Sequence, residues 1–296
     1  MNKSKFQSVH SDLASTSTAA CRIPIFSPTR RPQSVSSWRV ETPWGWAQIT
    51  GRLGQQHRDL LDAARMVAER EEWTFDGQMH LLVDPAKLRA VMGGDGVNWP
   101  LLMTWFVDLM RTIVDFHVNS QDINGFGGLV SGVVEAKTDQ HPSTRPGAWA
   151  EGRRFIKISF GDGWSKLLAD DCVMKYPLRH VVGLKHGFSQ AVARYCLSHT
   201  QTRDTVAGLA QKLDAGGRLR VRRSELSADA SGLASLGIII DGDKITCARQ
   251  QSPGARQQSP GEKPLLSDIS NISRQEGKHS LSPSPDGGVK TNTKPK

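Results

Sequence analysis

The sequence predicts an α+β fold: two tandem units, each of helix, strand, paired helices and β hairpin, set between disordered tails. Three observations predict it. Both ends are rich in Ser, Pro or Gly and lack hydrophobic periodicity. Between them, apolar stripes at helical spacing alternate with short β-rich runs. The order of those segments then occurs twice. The expected divisions are a disordered arm over 1–36, a first unit over 37–165, a second over 166–249, and a disordered basic tail over 250–296.

The arm is Ser- and Thr-rich with scattered Pro and Arg. In SWRVETPWGWAQIT, ending at Thr50, Val, Thr, Trp and Ile predict strand, interrupted at Pro43 and Gly45. A helix is expected from Gln55 to Glu72, because Leu60, Leu61, Ala64, Val67 and Ala68 form one apolar stripe. Gly77 marks a turn before a short strand, Gln78 to Val83. Asp84–Pro85 starts a helix that stops at Gly93–Gly94: Asp caps it, and Pro sits where its missing N–H costs nothing. Asn98 caps the next helix, whose wide apolar face holds Leu101, Leu102, Trp105, Phe106 and Leu109. Strands are expected at 113–118, 129–136 and 155–160, with a long wing or loop over 138–152.

The second unit repeats this order. Residues 187–199 and 205–213 read as amphipathic helices, followed after Ala215–Gly216–Gly217 by a third helix over 218–236. Its apolar line is Leu219, Leu226, Ala230 and Leu233, which turns the neighbouring arginines off the core face. The run 238–241, the Gly242 turn and 244–247 make a hairpin where a winged helix carries its wing. Two tandem winged-helix domains are therefore expected.

Charge separates the two units. Lys and Arg number 38 against 29 Asp and Glu, a formal +9, which favours a polyanionic partner. Between Lys175 and Arg223 ten basic residues meet only two acidic ones, whereas from Pro85 to Val118 three meet three. The densest point is Arg218, Arg220, Arg222 and Arg223, on the first turns of the third helix. In a helix-turn-helix those turns enter the major groove, where Arg reads guanine or holds phosphate. The bland alternative is a solvated basic face; the flanking turn and hairpin favour DNA contact. Arg203, Lys212 and Lys244 complete the expected DNA-binding set.

The segments ITGRLGQQHRDLLDA, LLVDPAKLRAVMG and NWPLLMTWFVDLM resemble the first winged helix of iteron-type plasmid replication initiators of the TrfA and RepC type. SQAVARYCLSHTQ, TVAGLAQKLD, GGRLRVRRSELSADASGLASLGI and GDKITC resemble the second. The likeness spans about 37–249 and rests on element order and dispersed positions. It implies a second domain that binds directly repeated origin sequences (iterons). It implies a first domain that contacts the rest of each repeat or forms a homodimer, through an apolar third helix bearing Trp99, Trp105 and Phe106. It further implies origin opening and recruitment of the host initiator and replicative helicase.

No enzyme activity, cofactor or metal is expected. The only tyrosines are Tyr176 and Tyr195, no two histidines are separated by one residue, and no Walker P-loop occurs. His57, Arg58 and Asp59 are adjacent on a helix, so they diverge rather than form a triad. Cys196 and His199 have metal half-site spacing but no second pair, and a small buried thiol is the simpler reading. With no secretory h-region, and an apolar stretch at 99–114 too short to span a bilayer, a bacterial cytoplasmic protein is expected. A transcriptional repressor on the same scaffold, or a basic protein-interaction module, would share most of these features.

Overall fold

Helix caps and breakers set most element boundaries, and tertiary pairing sets the rest. A computed structural model describes residues 13–136 and 155–248. The chain begins with β1 (Ala14–Ser17) and α1 (Ala19–Arg22), then a hairpin of β2 (Val35–Thr42) and β3 (Gly45–Gly51). There follow α2 (Gln55–Met66), β4 (Ala68–Trp73), β5 (Met79–Val83), α3 (Pro85–Met92) and α4 (Trp99–Arg111). Next come β6 (Ile113–Val118), β7 (Ile123–Gly127), β8 (Val130–Ala136), β9 (Phe155–Phe160), α5 (Asp162–Asp170) and β10 (Val173–Tyr176). The last stretch is α6 (Leu178–Val182), α7 (Gly187–Leu197), β11 (Gln201–Thr205), α8 (Val206–Lys212), α9 (Leu219–Ala228), α10 (Ala230–Ser235), β12 (Ile238–Asp241) and β13 (Lys244–Ala248).

The predicted caps form. Asp84 accepts from the Ala86 N–H at 2.8 Å and Asn98 from Leu101 at 2.9 Å, so α3 and α4 start where the sequence places them. Thr205 caps α8 by accepting from the Gly208 N–H at 3.0 Å. Some expectations fail. The helix expected to reach Glu72 ends at Met66, because Ala68–Trp73, despite its helix-forming composition, pairs with β5. Strand β7 was not expected, since INGFG looks like a turn. Gly125 is there because a Cβ would lie 2.3 Å from the Phe116 ring and 2.9 Å from Gly163 of α5. The arm expected to be disordered is, from Ala14, part of the core: Ala14, Ile23, Ile25 and Phe26 are buried. Residues 1–12, the expected wing or loop over 138–152 and the tail over 250–296 lie outside the described residues.

Mixed helix and sheet, an α+β architecture, is what the described residues form. Four sheets run β1–β10, β2–β3–β6–β7, β4–β5–β9–β8 and β11–β13–β12, with every pairing antiparallel. Two of them share a connection rule. In α2–β5–α3–α4–β8–β9 and in α7–β11–α8–α9–β12–β13, the first strand pairs with the last and the last with the middle one. The β6–β7 hairpin is inserted in the first copy and joins β2–β3 instead.

The two copies are not separately packed. The described residues group as one compact unit, and the expected boundary at 165/166 falls inside α5. The reason is α2, buried from Gln55 to Ala64 with charged residues facing inward. Arg58 donates to Asp62 at 2.8 Å and lies over the Phe26 and Trp164 rings at 5.4 and 5.3 Å. From α7, Arg194 reaches Asp59, donates to Gln55 at 2.8 Å and to the Tyr176 hydroxyl at 3.1 Å, and sits 3.6 Å from Asp62. Tyr176 in turn donates to Asp62 at 2.6 Å. Two buried cations thus meet two buried anions, the condition under which buried charge is tolerated. The arm closes this junction: β1 pairs with β10, and Arg22 donates to Ser198. A Cβ on Gly187, the first residue of α7, would meet the Thr29 backbone at 2.5 Å, so arm and helix approach closely.

Candidate nucleic-acid interface

The basic run of the sequence lies on α9. Asp214 and Gly217 adopt positive φ (48° and 98°), which turns the chain sharply between α8 and α9. Leu226 is buried and Leu219 partly so, against α7 and α8. Helical periodicity therefore sends Arg220, Arg223, Ser224, Ser227 and Ala228 outward, and all five are exposed. The helix expected over 218–236 breaks at Asp229. Its buried carboxylate accepts from the N–H groups of Lys185 (2.9 Å) and His186 (3.0 Å), and from His186 Nδ1 (3.0 Å). Burial pushes this carboxyl up, yet the hydrogen bonds from Lys185, Ser189 and His186 outweigh it and hold it below the usual aspartate value.

The seven sequence-predicted residues separate. Arg218 and Arg220 are exposed, and their side chains make no hydrogen bond or ion pair among the described residues. Arg223 pairs with Asp243 of the β12–β13 turn at 2.9 Å; with both side chains nearly half exposed, the pair is weak. That contact brings the hairpin turn, and the exposed Lys244 after it, beside α9. Arg222 is a correction. Its guanidinium donates to the Gly216 carbonyl and to Glu225 (2.7 Å) and lies 5.4 Å from the Phe188 ring centroid. With these donors committed inward, it holds the turn before α9. Lys212 is drawn to Asp204 at 2.6 Å and sits over the Tyr195 ring, and Arg203 faces the Gln201 amide. These two belong to the α8–β11 side and share no hydrogen bond or ion pair with the α9 arginines among the described residues.

Two residues outside the predicted set join the face. Lys185 is exposed, and His186 lines an open groove of about 570 Å³ whose other wall is Arg220, Val221, Ser224, Glu225 and Ala228. Lys185 entered the sequence reading only in the charge total, and the carboxylate that pins this turn against α9 lies 43 positions away from His186. In the first copy the corresponding helix, α4, exposes Pro100, Leu101 and Thr104 on its early turns and no arginine before Arg111. Phe106 is fully buried core, while Trp99 and Trp105 are partly buried against it. Among the described residues, no helix is long and apolar enough to cross a membrane.

No protein-family model matches the chain, and no curated protein matches it significantly. Two crystal structures of domains 2 and 3 of RctB are similar to it. One, a selenomethionine derivative, covers 78% of this chain and 90% of its own at 13% identity, with a TM-score of 0.47. The other covers 75% and 92% at 13% identity, with a TM-score of 0.45. A likeness this distant carries no functional weight.

Proposed function

We propose that this chain is a non-enzymatic, sequence-specific binder of double-stranded DNA built on two winged helices, acting as a replication initiator at directly repeated origin sequences. The observation that carries the DNA-binding part is α9. It follows a tight turn, presents Arg218, Arg220 and Arg223 to solvent on its early turns, and lies beside the β12–β13 hairpin at the place of a wing. An exposed arginine there reaches guanine O6 and N7 or a phosphate oxygen without first breaking a strong internal pair. The strand order first–last–middle in both copies supports the winged-helix assignment. The initiator part rests on the resemblance of the sequence to iteron-type initiators. From it follow origin opening, recruitment of the host initiator and helicase, and a homodimer formed through the apolar first domain.

Footprinting of purified full-length chain on DNA flanking its gene tests the reading. Protection of tandem direct repeats beside an A·T-rich stretch is the expected outcome. Protection of a single inverted operator beside a promoter would replace initiation with repression. Affinity indifferent to DNA sequence at every salt concentration would remove sequence-specific binding altogether.

A further inference from the structure

A groove runs between α9 and the Lys185–His186 turn, beside the exposed arginines of that helix. Its outer wall carries Arg220 and Ser224, its inner wall His186, and Lys185 stands exposed beside it. The acidic group facing it, Glu225, is already neutralised by Arg222 at 2.7 Å. The other nearby carboxylate, Asp229, is 4% exposed and committed to two backbone N–H groups and His186 Nδ1. That third bond leaves Nε2 as the remaining polar atom of the imidazole. The turn is held by its backbone N–H groups, so both residues are placed before any ligand arrives and only the Lys185 side chain has still to be ordered.

We propose that this groove binds one backbone phosphate of the duplex that α9 faces, clamped by Lys185 on one side and Arg220 on the other, with His186 Nε2 donating a further bond when the ring carries its second proton. The inference rests on the DNA-binding reading above and adds to it a second anchoring element, from the turn before α7. Such a contact sets the register of α9 along the duplex without selecting its sequence. An open groove with Arg220 on one wall and the exposed Lys185 beside the other suits a phosphodiester, whereas an apolar ligand would find few apolar walls besides Val221 and Ala228.

The test uses the full-length chain and a duplex that it selects from a random pool. Affinity is measured against KCl concentration for wild type, Lys185→Ala, His186→Gln, their combination and Arg220→Ala/Arg223→Ala. The same duplex is also made with single neutral methylphosphonates along each strand. The Lys185→Ala change is expected to flatten the salt dependence of log K by about 1, equally on every sequence bound. One methylphosphonate that weakens wild type is expected to leave the combined variant unaffected. The Lys185 side chain makes no hydrogen bond or ion pair among the described residues, so Lys185→Ala keeps the test valid if His186→Gln disturbs folding. Should salt dependence and methylphosphonate profile match wild type while Arg220→Ala/Arg223→Ala is impaired, the clamp is wrong and the DNA reading stands. A wild-type chain that selects no duplex overturns both.

Discussion

Arg220 and Arg222, two positions apart on α9, do different work, and substitution separates them. Arg222→Ala removes the bonds to Gly216 and Glu225 and leaves Glu225, 20% exposed, without its partner. It is expected to lower unfolding free energy in urea by about 1–3 kcal/mol. Arg220→Ala touches no internal side-chain bond; its urea curve should match wild type while DNA affinity falls equally on every sequence bound and the salt dependence of log K flattens by about 1, as for a lost phosphate contact. Histidines set the pH response. Burial holds His57 below the usual histidine value, against Asp108, which favours the charged ring. His57 Nδ1 accepts from the Gly54 N–H at 3.0 Å and Nε2 faces Asp108 at 3.1 Å, the arrangement of a neutral ring. His80 and His199 are also held low, chiefly by burial. The unfolded chain takes up protons as pH falls through about 6.5, whereas these rings resist until lower pH. Stability is therefore full above that value and declines beneath it. Urea midpoints from pH 7.5 to 5.5 should fall, and less so in His57→Asn.

Among the elements, α2 and α9 are the two that matter most, for opposite reasons. Helix α9 offers its charges to solvent; α2 hides its own. Arg194→Met would leave Asp59 and Asp62 without the cation that α7 supplies, and breaking a buried pair from one side costs about 3–5 kcal/mol. Thermal and urea unfolding should report that loss as one cooperative transition, since the network joins both copies of the fold. Restoring charge balance with a second change, Asp59→Asn, should recover part of it.

At the scale of the molecule, the arm is a structural strap. It contributes Ile23, Ile25 and Phe26 to the core, a strand to β10 and a hydroxyl partner, Thr16, to Arg58. Deleting residues 1–34 is expected to lower the melting temperature sharply or abolish soluble expression, because the arm's apolar side chains and half of the β1–β10 ladder leave together. A truncated chain with the wild-type melting curve would show the strap to be dispensable. The consequence for function is geometric. With α2 and the arm joining both copies, α9 and α4 are carried at a set separation.

Sequence alone determined what local chemistry can encode. Caps at Asp84 and Asn98, breakers at Pro43 and Gly93, and the 3.6-residue stripe that turns Arg220 and Arg223 outward all act within a few residues, so they are legible along the chain. Only the tertiary structure decided that 14–26 is core, that 68–73 is strand, that Arg222 faces inward, and that the Lys185–His186 turn stands against α9. Each depends on a partner far away in sequence: Tyr176 for Ala14, Leu82 for Arg70, Phe188 for Arg222, Asp229 for His186. A short segment with weak intrinsic preference takes its conformation from whatever surface it is laid against, and the chain brings that surface to it only on folding.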